Sequence, residues 1–412
     1  MAWRLDHEDN IKYCRLAMLS LSVKAEGIPP LLFCILDTME IIVREVSSKK
    51  DFKTFITFPN CLYARHPYWV PPLQADEKAT LSANKNPAFE YCEATYWLAY
   101  INNQPVGRIA GIINHAFIAK SGNQYARFGW FDFIDDSDVC EALLNALEVW
   151  ALKKGMVAVQ GPLGFTDFDA EGMLVDGFDK LGTMTTLYNF PYYPKYLEKF
   201  NYNKDVDWIE FEVLIPAVIP SRVVKLADAA TAKYNLEVLK VRTSRELLPY
   251  ASGLFGLINQ SFANLYGVVP LSAKQIEAYT NQYFSFISPS YVSLVLRQGS
   301  VVAFAIAIPS LSKALQKAKG KLFPAGIFYL YHALKRNSVA DLYLIGIHPE
   351  LQGKGVTALL IQDLSKKLRR KNITTAITHP ILENNSQMIS FWKDYENRFY
   401  KRRRCYIKFL NM

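Results

Sequence analysis

The sequence has no run of the roughly 18 apolar residues that a bilayer-spanning helix needs. Its longest apolar candidate, Ile28 to Leu36, is nine residues long and contains two prolines. Cysteine is sparse and unpatterned. Cys14, Cys34, Cys61, Cys92, Cys140 and Cys405 form no CxxC and no paired spacing, so neither a zinc site nor a disulfide framework is expected. The six histidines make no metal pattern. Asp6, Glu8 and Asp9 stand where a signal peptide would carry basic residues, so the expected compartment is the cytoplasm. Glycine and proline, twenty of each, are too few for a collagen-like or proline-rich chain. Neither a Walker A pattern nor GxGxxG occurs.

What is there suffices for large cores. Half of the 412 residues are apolar and 14% are aromatic, and a chain of this length suggests two domains. The net charge of +9 conceals a split. Residues 39–215 carry 16 Lys and Arg against 23 Asp and Glu, whereas residues 216–412 carry 27 against 10. A polyanion binding one half and not the other would fit, whether nucleic acid, an anionic membrane surface or a phosphorylated cofactor such as CoA. A solvated basic face fits as well.

The chain also reads as an internal duplication of one α/β unit. Residues 1–38 lack periodicity and are read as an extension, with Met39 as the natural start. In the first copy (39–215), Tyr96–Ile101 and Val106–Ile113 flank the turn Asn102-Asn103-Gln104-Pro105, a hairpin signal. Phe128–Ile134 reads as a strand, Val139–Lys154 as a helix stopped by Gly155, and Val157–Gln160 as a strand. Residues 216–236 read as linker and lead-in. The second copy (237–412) repeats the order: strands Val292–Leu296 and Val301–Ile308, strand Asp341–Ile347, helix Thr357–Arg370, strand Ile373–Thr378. The loops before the two helices are opposite in chemistry. One is Asp135-Asp136-Ser137-Asp138; the other is Gln352-Gly353-Lys354-Gly355.

That second loop carries the chemistry. A strand ending at Ile347 runs through a turn with two glycines and one lysine onto an amphipathic helix, so backbone N–H groups and the helix dipole favour an anion such as a pyrophosphate. The segment Ile347-His348-Pro349-Glu350-Leu351-Gln352-Gly353-Lys354-Gly355-Val356-Thr357 resembles the acyl-CoA-binding signature (Gln/Arg)-x-x-Gly-x-(Gly/Ala) of the GNAT N-acyltransferase superfamily. Gln352 and Gly355 fall on the pattern, Thr357 stands where Gly or Ala is expected, and Asn384-Asn385 follow the next strand.

The resemblance implies a mixed-sheet α/β fold with two GNAT-like units in tandem, the first degenerate and unable to hold CoA. It implies an acyl-CoA-dependent N-acyltransferase, without covalent intermediate or metal, taking acetyl-CoA or a longer acyl-CoA and a small-molecule or peptide amine acceptor. CoA contacts would come from Ile347, Gln352, Gly353, Lys354, Gly355, Val356, Thr357, Asn384 and Asn385. Asp341 is placed where the superfamily carries a strand general base, with Tyr343 two residues on. Trp392 occupies the family's tyrosine position in Phe391-Trp392-Lys393-Asp394-Tyr395, and indole is a poor acid; Tyr395 or Tyr400 would substitute. The departures at Thr357 and Trp392 suit a non-catalytic acyl-CoA-binding protein. An aminoacyl-tRNA-dependent transferase is the other alternative, against which the glycine turn argues. The basic runs 366–371 and 401–404 read as solvated faces or anion contacts, and the aromatics of 165–178 and 188–194 as core or as the lining of a cleft between the copies.

Overall fold

A computed structural model describes residues 40–283 and 287–411. The inferred extension and the Met39 start lie outside the described residues.

The first half runs β1 (Ile41–Glu45), α1 (Lys49–Leu62), β2 (Cys92–Ile101), β3 (Gln104–Asn114), β4 (Tyr125–Phe133), α2 (Ser137–Lys153), β5 (Ala158–Gly161), β6 (Met173–Asp176), α3 (Tyr192–Lys199) and β7 (Asn203–Leu214). The β2–β3 hairpin turns on Asn102 and Asn103, both at positive φ, as its turn residues indicate. Helix α2 buries Val139, Leu143, Leu144 and Leu147 against the sheet, and Gly155 ends the segment at φ +77.

The second half runs α4 (Ser221–Tyr234), β8 (Glu237–Val238), α5 (Ala251–Ser261), β9 (Val292–Arg297), β10 (Ser300–Pro309), α6 (Ser312–Ala318), α7 (Gly326–Lys335), β11 (Val339–Ile347), α8 (Val356–Arg370), β12 (Thr375–Ile377), β13 (Ile381–Leu382), α9 (Ser386–Trp392) and β14 (Asn397–Phe409). The stretch read as a linker holds α4, whose Val223, Ala227 and Ala230 pack into the same core as α8.

The halves repeat one plan and then interlock. In each, an antiparallel hairpin leads to a fourth strand whose pairing slips by one residue, and the fifth strand pairs parallel to that fourth strand. The last strands are exchanged. β14 pairs with β5 of the first half, and β7 pairs with β12 of the second. One mixed sheet results, in the order β1-β2-β3-β4-β5-β14-β7-β12-β11-β10-β9-β8.

The exchange explains the run 401–404, which is no solvated face. In β14, Lys401 and Arg403 are fully buried. Arg403 donates from Nε to Glu210 at 2.5 Å on the adjacent β7, and Lys401 Nζ donates to the Leu181 carbonyl at 2.6 Å. Arg404 and Arg402 point to the other face, where both bind Asp207. Alternation along a strand sends successive charges to opposite sides, and only carboxylates on the neighbouring strand make two of them tolerable inside.

Candidate active site

The slip in β11 sits at Tyr343, where the β10 pairing steps from Ala307↔Leu342 to Ile306↔Leu344. Pairing of β11 with β12 stops at Asp341↔Ile377. Beyond that point the two parallel strands diverge, and between them opens a cavity of about 950 Å³. Tyr343 through Ile347 line one side, and His379 through Leu382 line the other. Backbone groups of β11 that would complete a ladder therefore face the cavity.

The glycine turn lies against this opening. Gly353 and Gly355 stand at φ +70 and +82, where glycine alone is unstrained. A Cβ on Gly355 would come within 3.0 Å of the Leu226 carbonyl of α4. Gln352 donates from its side-chain amide to the Ile347 carbonyl at 3.1 Å, tying the turn to the strand end. No side chain caps the N-terminus of α8, so its first N–H groups keep their capacity for an anion. These are the features a pyrophosphate requires, and the donor set fits CoA.

Of the residues expected to contact CoA, Ile347, Gln352, Gly353, Gly355, Thr357 and Asn385 line the cavity. Lys354 lies instead over the Tyr234 ring at 5.5 Å, Val356 is buried in the α8 core, and Asn384 is exposed outside the lining. Tyr343 borders the cavity. Tyr395 does not; its ring packs with Trp392 in the core beneath α8, and burial pushes its hydroxyl upward. The structure therefore does not bring Tyr395 to the cleft. The Tyr400 hydroxyl is likewise committed, donating to the Leu181 carbonyl at 2.9 Å.

Asp341 is buried just behind the cleft. Neither carboxylate oxygen makes a well-formed hydrogen bond, and burial pushes the group up to about 7, tempered by the Ser310 hydroxyl and Lys401. Lys401 is lowered by burial to about 8. His379, which borders the cavity, is held neutral by burial at about 4. This cluster of titratable groups with displaced values beside a cleft makes it a candidate reactive site.

The loop 165–178, read as core or cleft lining, reaches the cavity, but its three carboxylates and His379 were not singled out by the sequence. Asp167, Asp169 and Glu171, from the loop after β5, line the same cavity together with Phe168. Burial raises Asp167 and Asp169 to about 6 and holds Glu171 well above the usual carboxylate range, each offset in part by the buried Arg127. Arg127 is itself held by the Gly164 and Gly267 carbonyls at 3.1 and 2.6 Å. Two halves thus wall one cavity.

Between the fourth and fifth strands of the first half the chain is held closed. Leu163 N donates to the Phe128 carbonyl at 2.8 Å, so the chain beyond β5 stays against β4. The Asp136 carboxylate caps α2, accepting from Asp138 N at 2.9 Å and Val139 N at 3.4 Å. A carboxylate of the chain occupies the position where α8 leaves its N–H groups open.

Residues 259–395 match the model of the acetyltransferase (GNAT) family. This segment is a GNAT domain. The whole chain has the tandem GNAT fold. It superposes on a tandem GNAT protein from the clavulanic acid biosynthesis pathway with a TM-score of 0.53 and 14% identity, covering 90% of this chain and 99% of that one. It is 28% identical over 377 residues to protein YghO of Escherichia coli (strain K12), covering 89% of this chain and 95% of the relative. It is 24% identical over 389 residues to the bacterial ceramide synthase of Caulobacter vibrioides (strain NA1000 / CB15N), covering 90% and 98%. The match of residues 259–395 joins this segment of the second half to a family of acyltransferases. No helix among the described residues is long and apolar enough to cross a membrane.

Proposed function

We propose that this GNAT protein transfers an acyl group from an acyl-CoA thioester to an amine, and that the second half alone holds the CoA. The observation that carries this reading is one cavity lined both by an anion-receptive glycine turn and by three carboxylates suited to a cationic amine. The diphosphate would sit on the N–H groups of Val356 and Thr357, and the pantetheine arm would run along the open edge of β11. The backbone N–H near Ile347 would face the developing oxyanion. The ammonium proton would pass to Asp341 through a water, because the carboxylate does not border the cavity itself. The freed amine then attacks the thioester carbonyl, and the C–S bond breaks to release CoA. A thiolate of ordinary pKa, about 8.5, leaves without a protein acid, so the core position of Tyr395 is compatible with turnover.

Binding of acyl-CoA without turnover would instead support the non-catalytic alternative. The tRNA alternative has less support, since an aminoacyl-tRNA donor does not call for the open, uncapped glycine turn that suits a diphosphate. One relative is a ceramide synthase, so long-chain acyl-CoAs and lipid-like amines belong in the assay panel with acetyl-CoA.

Calorimetric titration should show acyl-CoA binding, and thiol detection should show CoA release in the presence of the accepted amine. Asp167→Asn and Glu171→Gln together should raise the KM for that amine by about tenfold or more, the loss expected when a buried charged contact goes. Acyl-CoA affinity should stay within about twofold. Absence of any CoA binding ends the proposal; an amine KM unmoved by the double substitution removes the acidic loop from acceptor recognition.

A further inference from the structure

The helices α6 and α7, residues for which the sequence suggested no element, carry a surface unlike the rest of the molecule. Helix α7 buries Gly326 and Leu330, with Ala333 packed beside them, against α6 and the segment around Val70, Leu181 and Met184. A second apolar stripe runs outside. Ile327, Tyr331 and Leu334, at i, i+4 and i+7, lie about 100° round the helix from the buried stripe. Phe328 adjoins them, and Phe323 precedes the helix. Phe323, Phe328 and Tyr331 are 74%, 72% and 62% exposed. Monomeric surfaces seldom gather large side chains in this way without something to cover them.

The charges of the same region settle which occupant fits. Lys313, Lys317, Lys319, Lys321, Lys335 and Arg336 are all exposed, and none forms an ion pair with a carboxylate among the described residues. From Ser310 to Ala340 the sequence contains no Asp or Glu. Lys335 lies along the Tyr331 ring at 5.4 Å, its ammonium carried beside an aromatic face. Aromatic and aliphatic side chains projecting from a helix, with lysines on both helices and no acid within residues 310–340, match the interfacial zone of an anionic bilayer: apolar groups enter the acyl boundary and cations meet the headgroups.

We infer that α6 and α7 dock this protein on an anionic lipid surface, α7 lying in the interface plane with Phe323, Phe328 and Tyr331 inserted. The docked face adjoins the cavity. Leu181 and Met184 pack beneath α7, and Thr185 and Thr186 of the same loop line the cavity. An acceptor or acyl chain drawn from the membrane would thus arrive beside the cleft.

The experiment is co-sedimentation of the full chain with phosphatidylcholine vesicles with and without phosphatidylglycerol, at low and high salt, alongside sedimentation velocity without lipid. Binding should require phosphatidylglycerol and fall steeply with salt. Phe328→Ser with Tyr331→Ser should weaken it by about tenfold or more while leaving the melting temperature unchanged, because both side chains are exposed. Lys317→Gln, Lys319→Gln and Lys321→Gln together should weaken it and flatten the salt dependence. Binding that survives the aromatic substitutions overturns the inference. So does a chain that ignores every vesicle, or one that sediments as a dimer which Phe328→Ser and Tyr331→Ser convert to monomer without any lipid binding.

Discussion

Gly355→Glu should reduce acyl-CoA affinity by about a hundredfold or more in calorimetric titration. Three effects act together. Gly355 stands at φ +82, a conformation costing a side chain of order 1 kcal/mol or more. A Cβ there meets the Leu226 carbonyl at 3.0 Å. The new carboxylate competes with the phosphates for the N–H groups at the start of α8. The paired measurement is Asp136→Ala in the first half. Its carboxylate caps α2, so the substitution should cost about 1 kcal/mol of stability and leave acyl-CoA affinity within about twofold. Lys354→Ala should change affinity only modestly, since the lysine lies over Tyr234 outside the cavity lining. Equal losses of affinity in Gly355→Glu and Asp136→Ala would mean that the first half also binds CoA. A Gly355→Glu protein that melts with the wild type yet fails to bind establishes that the loss is local.

Asp341→Asn should lower kcat by about a hundredfold or more, the usual contribution of a positioned base, with acyl-CoA affinity nearly unchanged. The wild-type kcat should rise with pH through about 7, the value to which burial pushes Asp341. Lys401, Glu210, Tyr400 and the neutral His379 share its surroundings, so the profile reports a coupled cluster and not an isolated acid. Stability should change in a defined direction. A carboxyl whose folded value lies above its unfolded value binds more protons when folded, so stability falls as pH rises from about 4 to about 7. A neutral amide in its place carries no such penalty. The Asp341→Asn variant should be more stable than wild type above pH 7, by a few kcal/mol at about 1.4 kcal/mol per unit, and the gain should vanish below about pH 4. An unchanged kcat with this stability gain would leave Asp341 a structural group.

The elements that sequence alone disclosed are those governed by neighbours along the chain. Asn102 and Asn103 can take positive φ, so the β2–β3 hairpin was legible. The four-residue spacing of Leu143 and Leu147 and the stop at Gly155 marked α2. Two glycines and a lysine leading onto an amphipathic helix marked the anion turn. Other elements depend on partners distant in sequence. Helix α4 has a weak apolar stripe of Val223, Ala227 and Ala230, small side chains that gain their burial only against α8, so it passed for a linker. Residues 312–335 form helices whose outer apolar residues obscure the usual one-sided pattern.

By its sequence this protein determined the duplicated α/β unit, the opposed chemistry of the two loops, and which half carries a glycine turn with no acid in it, because each follows from backbone freedom and local charge. Tertiary structure decided the rest. Exchange of β7 and β14 buried Lys401 and Arg403 beside Glu210, turning an apparent surface charge run into internal ion pairing. Divergence of β11 from β12 opened the cavity with Asp341 behind it, and packing beneath α8 kept Tyr395 away from it. The loop of Asp167, Asp169 and Glu171 reached that cavity from the other half. No local rule encodes such meetings. They arise where strands far apart in sequence share one sheet, and where burial, not residue type, sets the charge that a side chain carries.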